Sequence, residues 1–252
     1  MIDYQSAEVT FIQYVTNNFD LDNPKIKLKY IHTFGVVNSA KKITDKMNLP
    51  GEDRELAGVI ALLHDIGRFE QLRQFDSFER TTMDHAAVGV ELLFGPQKMI
   101  RDFLSDTKYD DIIRTAIAHH SDYALPKLAD SQTKFHAALI RDADKLDNCR
   151  VKLEDSMEVM LGESAKQVGA ESITDKVWET CMRNECIRSE DRVTKMDYWV
   201  SYVAYFFDIN FNETWDIIME EKYVSRIIER IPYTNPDTQN KMQLLQKMLL
   251  KK

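Results

Sequence analysis

The stretch EDRELAGVIALLHDIG, residues 52–67, is apolar nearly all the way round through Leu56, Val59, Ile60, Leu62, Leu63 and Ile66. That is the pattern of a helix buried on most sides. It ends on His64 and Asp65, two groups that prefer water, at the close of an apolar run. One helix is expected from Glu52 to Gly67, with the pair on consecutive positions of it. Working outward, helical periodicity continues on both sides. Phe11, Ile12, Tyr14 and Val15 share a face of the first segment, and Asn23-Pro24 stops it before another helix begins near Lys25. That second helix carries Leu28, Ile31, Gly35 and Val36.

Downstream, the stretch RFEQLRQFDSFERTTMD (68–84) has no clean period and carries Arg68, Arg73 and Arg80. It reads as a long irregular loop, and such loops are often functional. Asp84 or Thr81 is the expected cap of the next helix, HAAVGVELLF, which puts His85 in its first turn. Further helices are expected at about 110–120, 134–150, 151–168, 173–188, 193–208, 213–230 and 237–250. With eight glycines and six prolines in 252 residues, and 44% hydrophobic content, the composition also favours helices over a turn-rich β architecture. The expected class is all-α. No Pro/Gly/Ser-rich linker divides the chain, so residues 1–252 read as a single domain, with a core at about 25–150 and a helical C-terminal extension over 151–252.

The formal charge of −8 would repel a phosphate backbone, so no long nucleic acid is expected as a partner. Cys149, Cys181 and Cys186 are odd in number and lack CxxC spacing, which suits a reducing compartment and offers no disulfide framework. The N-terminal MIDYQSAEVTFIQYV lacks the basic start and unbroken apolar region of a signal peptide, and no window reaches membrane-spanning length. A cytoplasmic location without membrane association is therefore expected. The oligomeric state is left open.

The polar residues on inward faces are more telling. His120 shares the face of Ile113, Ala116 and Ile117, with His119 at its edge. Asp142 shares a face with Ala138, Leu139 and Leu146, and His32 lies beside Ile31 and one turn from Leu28 and Val36. Buried carboxylates need a partner, and too few inward-facing cations are visible to supply one. A divalent metal ion would satisfy all these groups at once.

His32, His64-Asp65 in LLHDIGRF, His85 in MDHAAVG, His119-His120 in AHHSDYALP and Asp142 in RDADKLD together resemble the HD superfamily of metal-dependent phosphohydrolases. The order H, HD, H, HH, D is complete over residues 32–142, which makes the resemblance specific. The remainder, 151–252, matches no motif. Similarity to the binuclear branch implies one ion held by His32, His64, Asp65 and Asp142. A second would share Asp65 and add His85, His119 and His120. Two divalent transition-metal ions are implied, iron or manganese in preference to cobalt, nickel, zinc or magnesium, with a water activated between them.

The resemblance further implies a phosphomonoesterase or phosphodiesterase acting on a nucleotide or other small phosphorylated metabolite, with Asp65 central to catalysis. Arg68 and Lys145, each a helical turn from a ligand, are candidate phosphate contacts. Asp144 and Asp147 are read as rotated off the face of Asp142 and as solvated or outer hydrogen-bonding groups. Asp122 is a candidate general acid or acceptor, and His136 a satisfied core histidine. The aromatic band at Tyr198, Trp199, Tyr202, Tyr205, Phe206 and Phe207 is expected to be core. The chain lacks the GYP element of the superfamily's cyclic dinucleotide phosphodiesterases, having SDYALP, and the HDxxED form of its guanosine tetraphosphate hydrolases, having HDIGRF. A di-iron oxygenase of the same superfamily is the alternative reading.

Overall fold

Asp3 caps the first helix, α1 (Tyr4–Asn18), by accepting from the Ser6 amide, and Ala7, Phe11 and Val15 bury one stripe of it. Asn23 accepts from the Lys25 and Ile26 amides at the start of α2 (Pro24–Lys46), where Pro24 costs no helical hydrogen bond. The computed structural model describes residues 2–79 and 81–251; Arg80 lies outside the described residues. Among them every regular element is helical, so the chain is all-α. No described helix is long and apolar enough to cross a membrane.

The chain divides into two compact units, residues 1–147 and 148–252. Their boundary falls inside one continuous helix, α8 (Ser131–Glu154). No linker composition marks it, because the backbone stays helical across it.

In the first unit, α2 packs on α3 (Gly51–Leu63), α1 on α3, α4 (Ile66–Phe75) on α5 (His85–Phe94), and α5 on α7 (Asp110–His119); a short α6 (Ile100–Phe103) packs on α1. Phe11 and Phe69 meet edge to face, with centroids 5.9 Å apart, and Phe19 joins Phe69 at 5.4 Å. Each such pair contributes about 1 kcal/mol beyond its buried area.

Two expectations are corrected here. The helix through 52–67 is not continuous: α3 ends at Leu63 and α4 begins at Ile66. Asp65 sits between them at φ −108°, ψ 18°, outside helical geometry, as the N-cap of α4. The supposed loop 68–84 begins as helix, α4, which buries Phe69 and Leu72 three residues apart. Its pattern is obscured because Glu70 and Gln71 are also buried. Gln71 donates to the Glu79 carbonyl at 2.8 Å and to Thr82 Oγ1 at 2.9 Å, which ties down the short remaining loop.

Gly67 explains how α4 and α5 meet. A Cβ there would stand 2.1 Å from the His85 carbonyl oxygen and 2.7 Å from the Gly89 amide nitrogen. Only glycine lets the two backbones approach this closely, and the approach places His85 beside Asp65.

The second unit contains α9 (Met157–Leu161), α10 (Ala165–Val168), α11 (Asp175–Met182), α12 (Lys195–Ala204), α13 (Asn212–Glu220), α14 (Tyr223–Glu229) and α15 (Pro236–Leu249). Single 3₁₀ turns lie at Ser189–Asp191 and Tyr205–Asp208. Trp199, Val200, Val203, Phe206, Ile218 and Leu245 are buried in its core. Of the aromatic band, Trp199 and Phe206 are thus core, whereas Tyr198, Tyr202, Tyr205 and Phe207 are half-buried. Asp197 is a buried acid satisfied locally: it accepts from the Thr174 amide and hydroxyl and from the Val193 and Thr194 amides at 2.9–3.1 Å.

Candidate metal centre

His32, on α2, donates from Nδ1 to Asp147 at 2.7 Å. His64, just past the end of α3, donates from Nδ1 to the Ala61 carbonyl at 2.7 Å, and His120, at the end of α7, donates to the Ile117 carbonyl at the same distance. All three hydrogen bonds assign the proton to Nδ1 and leave the Nε2 lone pair facing inward, the tautomer a metal ligand needs. His85, in the first turn of α5 behind the Asp84 cap, also turns Nε2 inward.

These lone pairs converge in two groups. His32, His64 and Asp144 offer ligand atoms within 4.8 Å of one another, and so do Asp65, His85 and His120. Asp144 Oδ1 lies 3.0 Å from His32 Nε2. In the second group Asp65 Oδ1 lies 3.3 Å from His85 Nε2 and 3.5 Å from His120 Nε2. The other oxygen, Oδ2, faces the first group, 3.6 Å from His64 Nε2. Because Asp65 caps α4 without giving its carboxylate to an amide, both oxygens remain turned toward the histidines.

The residues fit a divalent metal. His64 Nε2 is buried with no hydrogen-bond partner, a position costly for a polar atom unless a ligand completes it. His85 Nε2 and His120 Nε2 stand 3.1 Å apart. Two bare lone pairs repel at that distance, but two nitrogens each about 2.1 Å from one ion, at a right angle, are about 3.0 Å apart. A donor set of imidazoles and carboxylates suits first-row transition ions.

Two assignments are thereby revised. Asp144, not Asp142, joins His32 and His64. Asp142 is fully buried on the same helix, but two residues along an α-helix rotate a side chain by about 200°, so the two acids point to opposite sides. His119 joins neither group; its side chain is 34% exposed, with Nδ1 2.7 Å from Asp122 Oδ2. Asp147, read as solvated or as an outer hydrogen-bonding group, is the latter: it is buried and orients His32. Gly35 makes room for it, since a Cβ there would fall 2.1 Å from Asp147 Oδ1.

Two cations missed by sequence reasoning lie here. Lys29 Nζ is 2.5 Å from Asp65 Oδ2. Its place on α2, one turn before His32, was the available signal. Arg141, buried in α8, donates to the carbonyls of His119 at 3.0 Å and Asp122 at 2.7 Å, which anchors the segment following the histidine pair. Of the two cations that the spacing singles out, Arg68 places Nε 3.7 Å from Asp65 Oδ1 and donates from Nη1 to Gln71 Oε1 and to the Phe78 carbonyl. Lys145 reaches back to the Arg141 carbonyl at 3.5 Å. His136 pairs with Asp53 at 3.3 Å, away from both groups.

Burial pushes the Asp65 carboxyl up, but the Lys29 ammonium and the surrounding imidazoles outweigh it and hold the group well below the usual range. Burial also tends to raise Asp144, and its hydrogen bond to His32 overturns that effect. Burial lowers His64 to about 4 and His85 to about 2, against the pull of Asp65. His32 is the exception: burial and the Lys29 charge push it down, and Asp144 with Asp147 push it above its ordinary value.

A pH dependence follows. The unfolded chain takes up protons on imidazole below about pH 6.5, which the folded chain refuses at His64 and His85. Each contributes stability that is full above that pH and is lost as pH falls toward its folded value, at up to about 1.4 kcal/mol per pH unit. His32, raised, contributes stability that is full below its unfolded value and lost only as pH rises through its folded one, so it does not offset the loss toward the acid end. Chelator-treated protein should therefore lose urea stability steeply between about pH 6.5 and 4.5. A flat profile would mean that these imidazoles are not held neutral.

Residues 30–149 match the family model described as HD domain. No curated protein and no solved structure matches the chain. The matched segment contains both histidine–aspartate groups and ends within α8, just past Asp147. On that match, and on the histidine–aspartate groups it carries, residues 30–149 are an HD domain, the domain of a superfamily of metal-dependent hydrolases.

Proposed function

We propose that the chain is a phosphohydrolase with two metal ions, acting on the phosphoester bond of a nucleotide or other small phosphorylated metabolite. The observation that carries this reading is the position of Asp65, whose two oxygens face two separate ligand groups. His32, His64 and Asp144 would hold one ion, and His85 and His120 the other, with Asp65 shared between them. Divalent ions so held would supply Lewis acidity and lower the pKa of a bound water toward neutrality.

The chain's own residues do the rest. Asp147, Ala61 and Ile117 hold His32, His64 and His120 in the tautomer that presents Nε2. Arg68, steadied by Gln71 and the Phe78 carbonyl, brings a fixed positive charge beside Asp65 to bind phosphoryl oxygens and offset charge developing in the transition state. Lys145, next to Asp144, is a further candidate phosphate contact. The acidic surface favours a small substrate over a long nucleic acid.

The test is elemental analysis of protein purified without added metal, followed by a panel of phosphomonoesters, cyclic and linear diesters and nucleoside triphosphates. Turnover of at least one class without dioxygen consumption is expected. Dioxygen uptake with a redox-active iron pair would replace hydrolysis by oxygenase chemistry. On the best substrate, Arg68→Ala should keep its metal while kcat/KM falls by roughly ten- to a thousandfold, the scale of one charge-assisted contact. Arg68→Lys should recover part of the loss, because a point charge does not reproduce the planar grip. Wild-type turnover by Arg68→Ala would remove it from the mechanism.

A further inference from the structure

Lys29 stands at the open side of the centre. Its side chain is 14% exposed, against 5% for Asp65, and its Nζ is 5.8 Å from the centre of the half-exposed Phe78 ring. Asp65 Oδ2 holds the ammonium at 2.5 Å, on the oxygen that also faces His64. Asp144, 25% exposed, and Arg68, 16% exposed, are also partly open.

A cation in that place is hard to explain as scaffolding. A carboxylate that only needed to be held still would be served by a neutral donor. An ammonium beside it repels the divalent ions this carboxylate is placed to share, and at such separations the repulsion is large even with interior screening. The repulsion is offset if an anion joins the ensemble. Nζ is a compact donor on a flexible four-carbon stem, able to serve Asp65 and a ligand oxygen at once.

We propose that Lys29 is a catalytic cation of the centre: it binds an oxygen of the substrate phosphoryl group, with Asp65 Oδ2 as its anchoring partner. Lys29 and Arg68 would then grip the phosphoryl group from opposite edges of Asp65, since one contacts Oδ2 and the other lies nearer Oδ1. This rests on the phosphohydrolase reading for its substrate, but its test does not depend on turnover.

The experiment compares wild type with Lys29→Met, similar in length but uncharged, and with Lys29→Arg. Mn²⁺ affinity is measured by calorimetry, and inorganic phosphate affinity is then measured on the Mn²⁺-loaded proteins. Lys29→Met is expected to bind Mn²⁺ as tightly as wild type or more so, and to bind phosphate at least about tenfold more weakly, one charge-assisted contact being lost. Lys29→Arg should restore most of the phosphate affinity. Unchanged phosphate binding in Lys29→Met, or no phosphate binding by wild type, overturns the proposal. So does a parallel loss of Mn²⁺ and phosphate, which would reduce Lys29 to a support for Asp65. If Lys29→Met does not fold, Lys29→Gln is judged by the same two affinities. Failure of wild type to take up Mn²⁺ removes the metal centre and this proposal with it. Lys29-dependent phosphate binding without turnover of any phosphoester would instead sink the hydrolase reading and keep Lys29 only as the phosphate-binding cation of the centre.

Discussion

Asp65→Ala is expected to empty both ligand groups of metal and to lower hydrolysis by at least about four orders of magnitude, the scale seen when a unit acting as a whole loses a central member. Both carboxylate oxygens are committed. Oδ1 lies 3.3 Å from His85 Nε2 and 3.5 Å from His120 Nε2, and Oδ2 lies 3.6 Å from His64 Nε2. Removing the carboxylate subtracts the one negative charge common to the two groups and leaves the Lys29 ammonium against the histidines. Breaking so buried a pair costs about 3–5 kcal/mol, so a lower melting temperature should accompany the loss of metal. His85→Ala makes the control. It removes one member of the second group and leaves His32, His64 and Asp144 in place, so one ion should remain. Elemental analysis of the two variants decides the point. Equal metal contents would dissolve the division into two groups, and no more than one ion in wild type, after reconstitution with iron or manganese, would remove the binuclear reading.

The second large effect separates two acids on one helix. Asp144→Ala should weaken binding of the ion shared with His32 and His64 by at least about a hundredfold, the upper end of what even outer partners of ligands contribute. Asp142→Ala should keep its metal and instead lower stability by roughly 2–4 kcal/mol, as expected for truncating a fully buried acid. Metal content and urea midpoint should thus move in different variants. If Asp142→Ala emptied the site while Asp144→Ala did not, the sequence-based assignment of Asp142 would stand against the geometry.

Much of this centre was legible from residue spacing. The capping Asp84 and the Asn23-Pro24 stop appear where short-range rules put them, because a cap needs only its own next few residues. His32, His64 and His120 were legible for a related reason, since imidazoles on the apolar faces of helices are costly to bury unless something binds them; His85 was legible only through the resemblance, and the four lie in the two ligand groups. Their adjacent aspartate was also legible, though not its backbone. A break between α3 and α4 lets Asp65 reach both groups, and the apolar run carries no sign of it.

What the sequence determined by itself was the helical class and, among the metal-seeking side chains, His32, His64, Asp65, His85 and His120, since periodicity and side-chain chemistry are local properties. Which acid completes the first group was decided only in three dimensions. Residues 137–143 of α8 are buried without interruption, so depth carries no directional information there, and the packing of α2 selects Asp144 and Asp147. Tertiary packing likewise turned His119 to the rim, set Lys29 against Asp65, and let α4 touch α5 through Gly67. Each of these depends on the distance between backbones far apart in the chain. A one-dimensional pattern sets the face a side chain occupies, but not the neighbour that face will meet.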